Sequence, residues 1–249
     1  MNDKAKILIV LDEELSQAVQ LGYYPEITQL VNKGDCKVFS LEDFYRGNIS
    51  APLKQRPKGN GRDVYVRNPY TNVYEYIYAP LESLGICFVS DKSLALKEAL
   101  VRMGAKRILM LKEDKASEKK HDSVSLGGSY KGVSGSVSMS LGSGYSNAVK
   151  KALEYSNPNN QPQNWEEAYD YIQNHGLIGE SFITLLCDRL KTMGKLNGVE
   201  RISVSYLNEL SDSFGMTLGA GFKEFGVNVG YETEAIRSSR FECLFEVEF

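Results

Sequence analysis

Histidine is scarce in this chain of 249 residues, with two copies, and tryptophan occurs once. So few histidines argue against a histidine-based metal centre. The cysteines are also few. Cys36, Cys87, Cys187 and Cys243 are widely separated and form no CxxC pair, so neither a zinc site nor a redox motif has support. Each sits in an apolar context, as in Gly85-Ile-Cys-Phe-Val89, which predicts buried free thiols in a reducing compartment. Long apolar runs are missing: the longest is Ile7–Leu11, far short of the roughly 20 residues of a membrane helix. The N-terminus lacks the apolar stretch and small-residue cleavage site of a signal peptide, so the expected location is the cytoplasm. A net charge of -3 excludes a general nucleic-acid coat, and 42% hydrophobic residues exclude wholesale disorder.

Catalytic motifs are equally thin. There is no GxSxG serine, no paired-carboxylate motif and no phosphate loop ending in GK[ST], so no catalytic residue, metal or cofactor is expected. His121 lies in a charged stretch and His175 beside Gly176, both readable as surface histidines. One weak anion candidate stands out: Gly142, Ser143, Gly144 and Ser146 could form a glycine-rich turn entering a helix that carries Lys150. Ile7 to Glu14 is similar to the opening of a receiver domain, but the later aspartate of that family has no counterpart. Between Arg46 and Arg62, Lys54, Arg56 and Lys58 complete a basic stretch with no acid, flanked by Tyr45 and Tyr65. A solvated loop is the expected reading, with nucleic-acid contact conceivable only there.

What the chain does have is 22 glycines and 15 tyrosines. Short β-type runs at Ile7–Val10, Cys36–Phe39 and Ile86–Val89 frame a helix from Pro25 to Asn32 that stops at Gly34. Val64–Val66 and Val73–Tyr78 read as a tyrosine-rich hairpin. A helix capped by Asp91 closes at Gly104, followed by a strand at Ile108–Leu111 and a solvated connector from Lys112 to Asp122. A helix from Ser146 to Tyr155 precedes a polar linker, Ser156–Asn164. Two more helices follow, one from Asn164 to His175 and one from Glu180 to Met193, stopped by Gly176 and Gly194. The final strand, Phe241 to Phe249, alternates apolar residues with a mainly acidic face.

Two stretches pair into hairpins of one design. Around Lys131-Gly132, Tyr130 meets Val133, Leu126 meets Val137 and Val124 meets Met139, while Ser and Gly fill the opposite face. Around Lys223-Glu224, Phe222 meets Phe225, Leu218 meets Val229 and Met216 meets Tyr231, with Val227 on the same face and Gly, Thr and Asn opposite. A slip of one residue would mix the faces, so the register is specified. Each hairpin follows a helix and a strand, and the pattern repeats at about 92 residues.

The expected fold is α+β, a mainly antiparallel sheet with helices on one side and an internal duplication of a helix–strand–hairpin unit. The expected divisions are an α/β unit over 1–90, a first repeat over 91–155 and a second over 156–249, packed as one assembly. Small-residue strand faces suit close approach by another surface. The leading expectation is therefore a non-enzymatic protein that binds a protein partner or its own copies. The alternating faces are also similar to the hairpins of pore-forming proteins of the perforin-like and gasdermin-like groups, which makes membrane insertion the alternative. A phosphate- or nucleotide-binding enzyme acting through Gly142–Ser146 is the third reading.

Overall fold

The computed structural model describes residues 5–47, 51–77, 81–117, 134–157, 159, 162–206 and 239–249. These residues form two compact units divided between Leu84 and Gly85. Each holds a four-stranded, mostly antiparallel sheet, so the α+β class stands.

In the first unit the strand order is β2-β1-β3-β4. Strand β1 (Ile7–Leu11) is apolar throughout and buried at every position, which suits a central strand covered on both faces. It runs parallel to β2 (Cys36–Ser40), reached through helices α1 (Glu13–Gln20) and α2 (Pro25–Lys33). Asp12 caps α1 by accepting from the Leu15 amide at 2.8 Å, which explains this acid as a structural residue. Gly34 ends α2 in the left-handed conformation the sequence requires there. Strands β3 (Arg62–Asn68) and β4 (Val73–Tyr76) form the expected hairpin, with Asn72 at φ 56 in its turn. Leu8, Val10, Tyr65, Tyr74 and Tyr76 make one core layer. Phe39, the short helix α3 (Leu41–Tyr45) and residues Ala51 and Leu53 pack on it.

The second unit begins within helix α4 (Leu81–Arg102), which overturns the strand expected at Ile86–Val89 and the cap expected at Asp91. A four-residue apolar run cannot choose between strand and helix. Here Phe88, Val89, Leu96, Ala99 and Leu100 are buried at helical spacing, and they carry Ile86–Val89 into the helix. Strand β5 (Arg107–Ser117) likewise extends through Lys112–Ser117, where a connector was expected. Backbone pairing with β8 (Ser239–Glu248) continues across those charged residues after a register irregularity between Met110 and Lys112.

Helix α5 (Ser134–Leu153) leads to the short strand β6 (Tyr155–Ser156). Helices α6 (Trp165–Asn174) and α7 (Ser181–Met193) agree with the sequence reading, including the Asn164 cap on the Glu166 and Glu167 amides. The linker before α6 does pack: the Gln163 side chain donates to the Leu196 carbonyl at 2.9 Å and accepts from its amide at 2.6 Å. Strand β7 (Val199–Tyr206) completes the antiparallel order β6-β5-β8-β7. In β8, Phe241, Cys243, Phe245 and Val247 are buried while Glu242 and Glu248 are exposed, so this sheet is covered on one face as expected.

Cys36, Cys187 and Cys243 are buried free thiols and Cys87 is half-buried. His175 caps α6 and stacks on Tyr171 at 3.8 Å. Among the described residues no helix is long and apolar enough to cross a membrane.

Candidate functional site

The second sheet contains two antiparallel ladders between strands that follow one another in the chain, β5–β6 and β7–β8. In the β7–β8 ladder Val199 pairs with Glu248 and Tyr206 with Phe241. Every pair in that ladder is centred on the Lys223-Glu224 step, since Tyr206 lies 17 residues before Lys223 and Phe241 lies 17 after Glu224. In the β5–β6 ladder Arg107 pairs with Ser156 and Ile108 with Tyr155, centred on Lys131-Gly132. These are the two steps that side-chain patterning alone selects as turns, and both lie outside the described residues. Arg107 precedes Val199, and Ser156 precedes Glu248, by the same 92 residues.

The alternation also continues in the sequence. Ile202, Val204 and Tyr206 of β7 are buried opposite Phe245, Cys243 and Phe241 of β8. Counting on in steps of two from Tyr206 reaches Met216, Leu218 and Phe222, and counting back from Phe241 reaches Val229, Val227 and Phe225. Those six positions lie outside the described residues, as do Val124, Leu126, Tyr130 and Val133.

For the first hairpin the structure corrects the expected second strand: Val137 and Met139 lie in helix α5, which starts at Ser134. The physical reason is a degeneracy of pattern, because every second member of an alternating series recurs every four residues. Val137, Leu141, Tyr145, Val149 and Leu153 are such a series, and residues four apart are neighbours on a helix surface. Tyr145, Val149 and Leu153 are indeed buried. Gly142, Ser143, Gly144 and Ser146 therefore lie inside α5 rather than in a turn at its start. Helical N–H groups there are committed to the helix, so the geometry assumed for an anion site is not present. Lys150 is exposed on the helix's final turns.

Buried side chains hold α5 and the ends of these strands. The Tyr145 ring lies 5.7 Å from that of Phe241, which lies 5.6 Å from that of Tyr206. Gly85 of α4 makes room for the Tyr145 hydroxyl, which would sit 2.4 Å from a Cβ at that position. Beside them Lys92, 1% exposed, donates to the Ser205 carbonyl at 2.7 Å and forms an ion pair with Glu180. Its ammonium lies 5.7 Å from the centre of the Tyr206 ring, and Ser93 donates to the Tyr206 hydroxyl at 3.1 Å. Burial raises the Tyr206 hydroxyl well above the usual phenol range; the Ser93 bond lowers it, and Cys243 and Glu180 add to the rise. This cluster fixes the last described residues of β7. Sequence reasoning missed it, because Asp91-Lys-Ser93 reads as a solvated helix start.

In the first unit the basic stretch is largely answered by groups outside it. Arg46 pairs with Glu42, Lys54 reaches Glu75 at 2.8 Å, and Lys58 lies 4.7 Å above the Tyr76 ring. Arg56 and Arg62 are exposed. Next to the stretch, Asp63 is 0% exposed and neither of its carboxylate oxygens has a hydrogen-bond partner. Burial, and after it the neighbouring Asp63, pushes the Tyr76 hydroxyl up to about 12. Comparison with known protein families, curated proteins and solved structures gives no match to this chain.

Proposed function

We propose that this chain is a self-assembling protein that inserts two β-hairpins into a membrane. The observation that carries the reading is the register of the two ladders, each centred on a turn chosen independently by side-chain pattern. Extended to those turns, the strands become 107–130 with 133–156 and 199–222 with 225–248, each 24 residues long. A membrane-spanning strand needs about 9–11 residues, so the extended hairpins suffice with a base left outside the bilayer. Their apolar faces would meet lipid and their Gly/Ser faces a lumen, the division that spanning strands require. The shared length and 92-residue offset favour a duplication of the hairpin unit.

In this reading α5 is the stored form of one strand. Its backbone hydrogen bonds would be exchanged for ladder bonds, so the main cost is withdrawing Tyr145, Val149 and Leu153 from the core. That costs about 1.5–3 kcal/mol for each side chain, offset when apolar residues reach lipid. Assembly among copies supplies neighbours for the outer edges of β6 and β7, which pair with no other strand among the described residues.

Dye release from phosphatidylserine-containing liposomes at neutral and acidic pH tests the reading. Leu218→Arg should abolish release, because a cation near the bilayer midplane on the lipid face costs about 2–4 kcal/mol. Gly219→Ser, on the opposite face, should retain it. No release by the parent chain at either pH, or equal release by Leu218→Arg, would contradict insertion.

A further inference from the structure

The Asp63 carboxyl group is fully buried. It sits on β3 opposite Val10, and both oxygens are closed to solvent with no hydrogen-bond partner. Two residues along the same face, the Tyr65 hydroxyl is also buried and unpartnered. Tyr76, 8% exposed, pairs with Tyr65 across the hairpin, their rings 5.3 Å apart. The region lies beneath the segment from Ala51 to Gly61. Ala51 and Leu53 pack on the tyrosine layer, and Lys58 lies over Tyr76. The Asp12 amide ties the segment's end by donating to the Gly61 carbonyl at 3.0 Å.

An ionised carboxylate removed from water needs a compensating charge or several donors. Lys54 is engaged by Glu75, and Lys58 lies over the Tyr76 ring. The Asp63 oxygens together with the two phenol oxygens are a hard, oxygen-only donor set, suited to a small hard cation rather than a soft metal. We propose that Asp63, Tyr65 and Tyr76 hold such a cation in the first unit. This site is separate from the hairpins and stands or falls without them.

Terbium luminescence excited through tyrosine tests the site in the full chain, with Ca²⁺, Mg²⁺ and K⁺ as competitors. The parent should give sensitised emission that one of these cations displaces, and Asp63→Asn should reduce emission at least ten-fold while keeping the parent circular dichroism. Tyr65→Phe, which keeps the ring and removes one oxygen, should weaken apparent affinity at least three-fold. Equal emission from parent and Asp63→Asn, or unchanged affinity in Tyr65→Phe, would overturn the proposal. So would a parent that binds nothing while Lys58→Met binds, since Lys58 would then be the internal counter-charge.

Discussion

Tyr206 and Phe241 are cross-strand partners whose ring centres lie 5.6 Å apart, and they stand equally far from the Lys223-Glu224 step. A ladder fixed by packing at its base thus agrees with a turn read from alternation far beyond it. A one-residue slip of β7 against β8 would separate the two and would also turn Ile202 and Val204 out of the core.

Gly85→Ala should destabilise the protein, although alanine favours a helix by about 1 kcal/mol over glycine. The added Cβ would meet the Tyr145 hydroxyl at 2.4 Å and its ring at 3.0 Å. Overpacking of this kind costs about 1–3 kcal/mol. Tyr145→Phe removes the nearer atom and should recover part of the loss in the double variant. Urea titration of the four proteins measures this coupling; additive effects would deny the contact.

Glu180→Ala should cost up to about 3–5 kcal/mol, because it removes the carboxylate that pairs with the buried Lys92 ammonium. Lys92→Met with Glu180→Leu should cost less than Glu180→Ala, since the pair's desolvation disappears with it. Denaturation midpoints of both variants decide the matter. Equal losses would mean that the Ser205 bond, rather than the unpaired charge, dominates.

Alkaline pH should weaken the fold through Cys36. Burial, with Asp35 second, pushes its thiol from 9.0 up to about 12. The unfolded chain therefore releases this proton first. The contribution is complete below pH 9 and is lost as pH rises towards 12, at up to about 1.4 kcal/mol per unit. Comparing the parent with Cys36→Ala between pH 8 and 10, below the main tyrosine range, isolates it. The parent should lose more stability across that interval; parallel curves would remove Cys36 as the cause.

Much of the frame was legible because it depends on local chemistry. Gly34 and Gly194 mark helix ends by their left-handed backbone, Asn164 by its cap, and β8 by strict alternation. Helix α5 was not, since an alternating pattern contains a four-residue one and the local sequence cannot choose. Tyr145 docking on Phe241 decides it. Nor could Lys92 and Asp63 be recognised as buried, because both lie in ordinary polar sequence. Their burial comes from distant partners: Glu180 and Ser205 for the lysine, and β1 with the tyrosine layer for the aspartate.

The hairpin register is the central claim, and spin labels placed across it test it most directly. In a Cys87→Ser background, Thr217→Cys with Gly230→Cys forms a pair centred on Lys223-Glu224. Directly opposed strand positions have Cβ atoms about 4.5–5.5 Å apart, close enough for strong dipolar broadening. The account predicts broadening in liposome-bound protein for this pair and much less for Thr217→Cys with Arg237→Cys. Liposome-bound protein with no broadening for the first pair, or equal broadening for both, would contradict it.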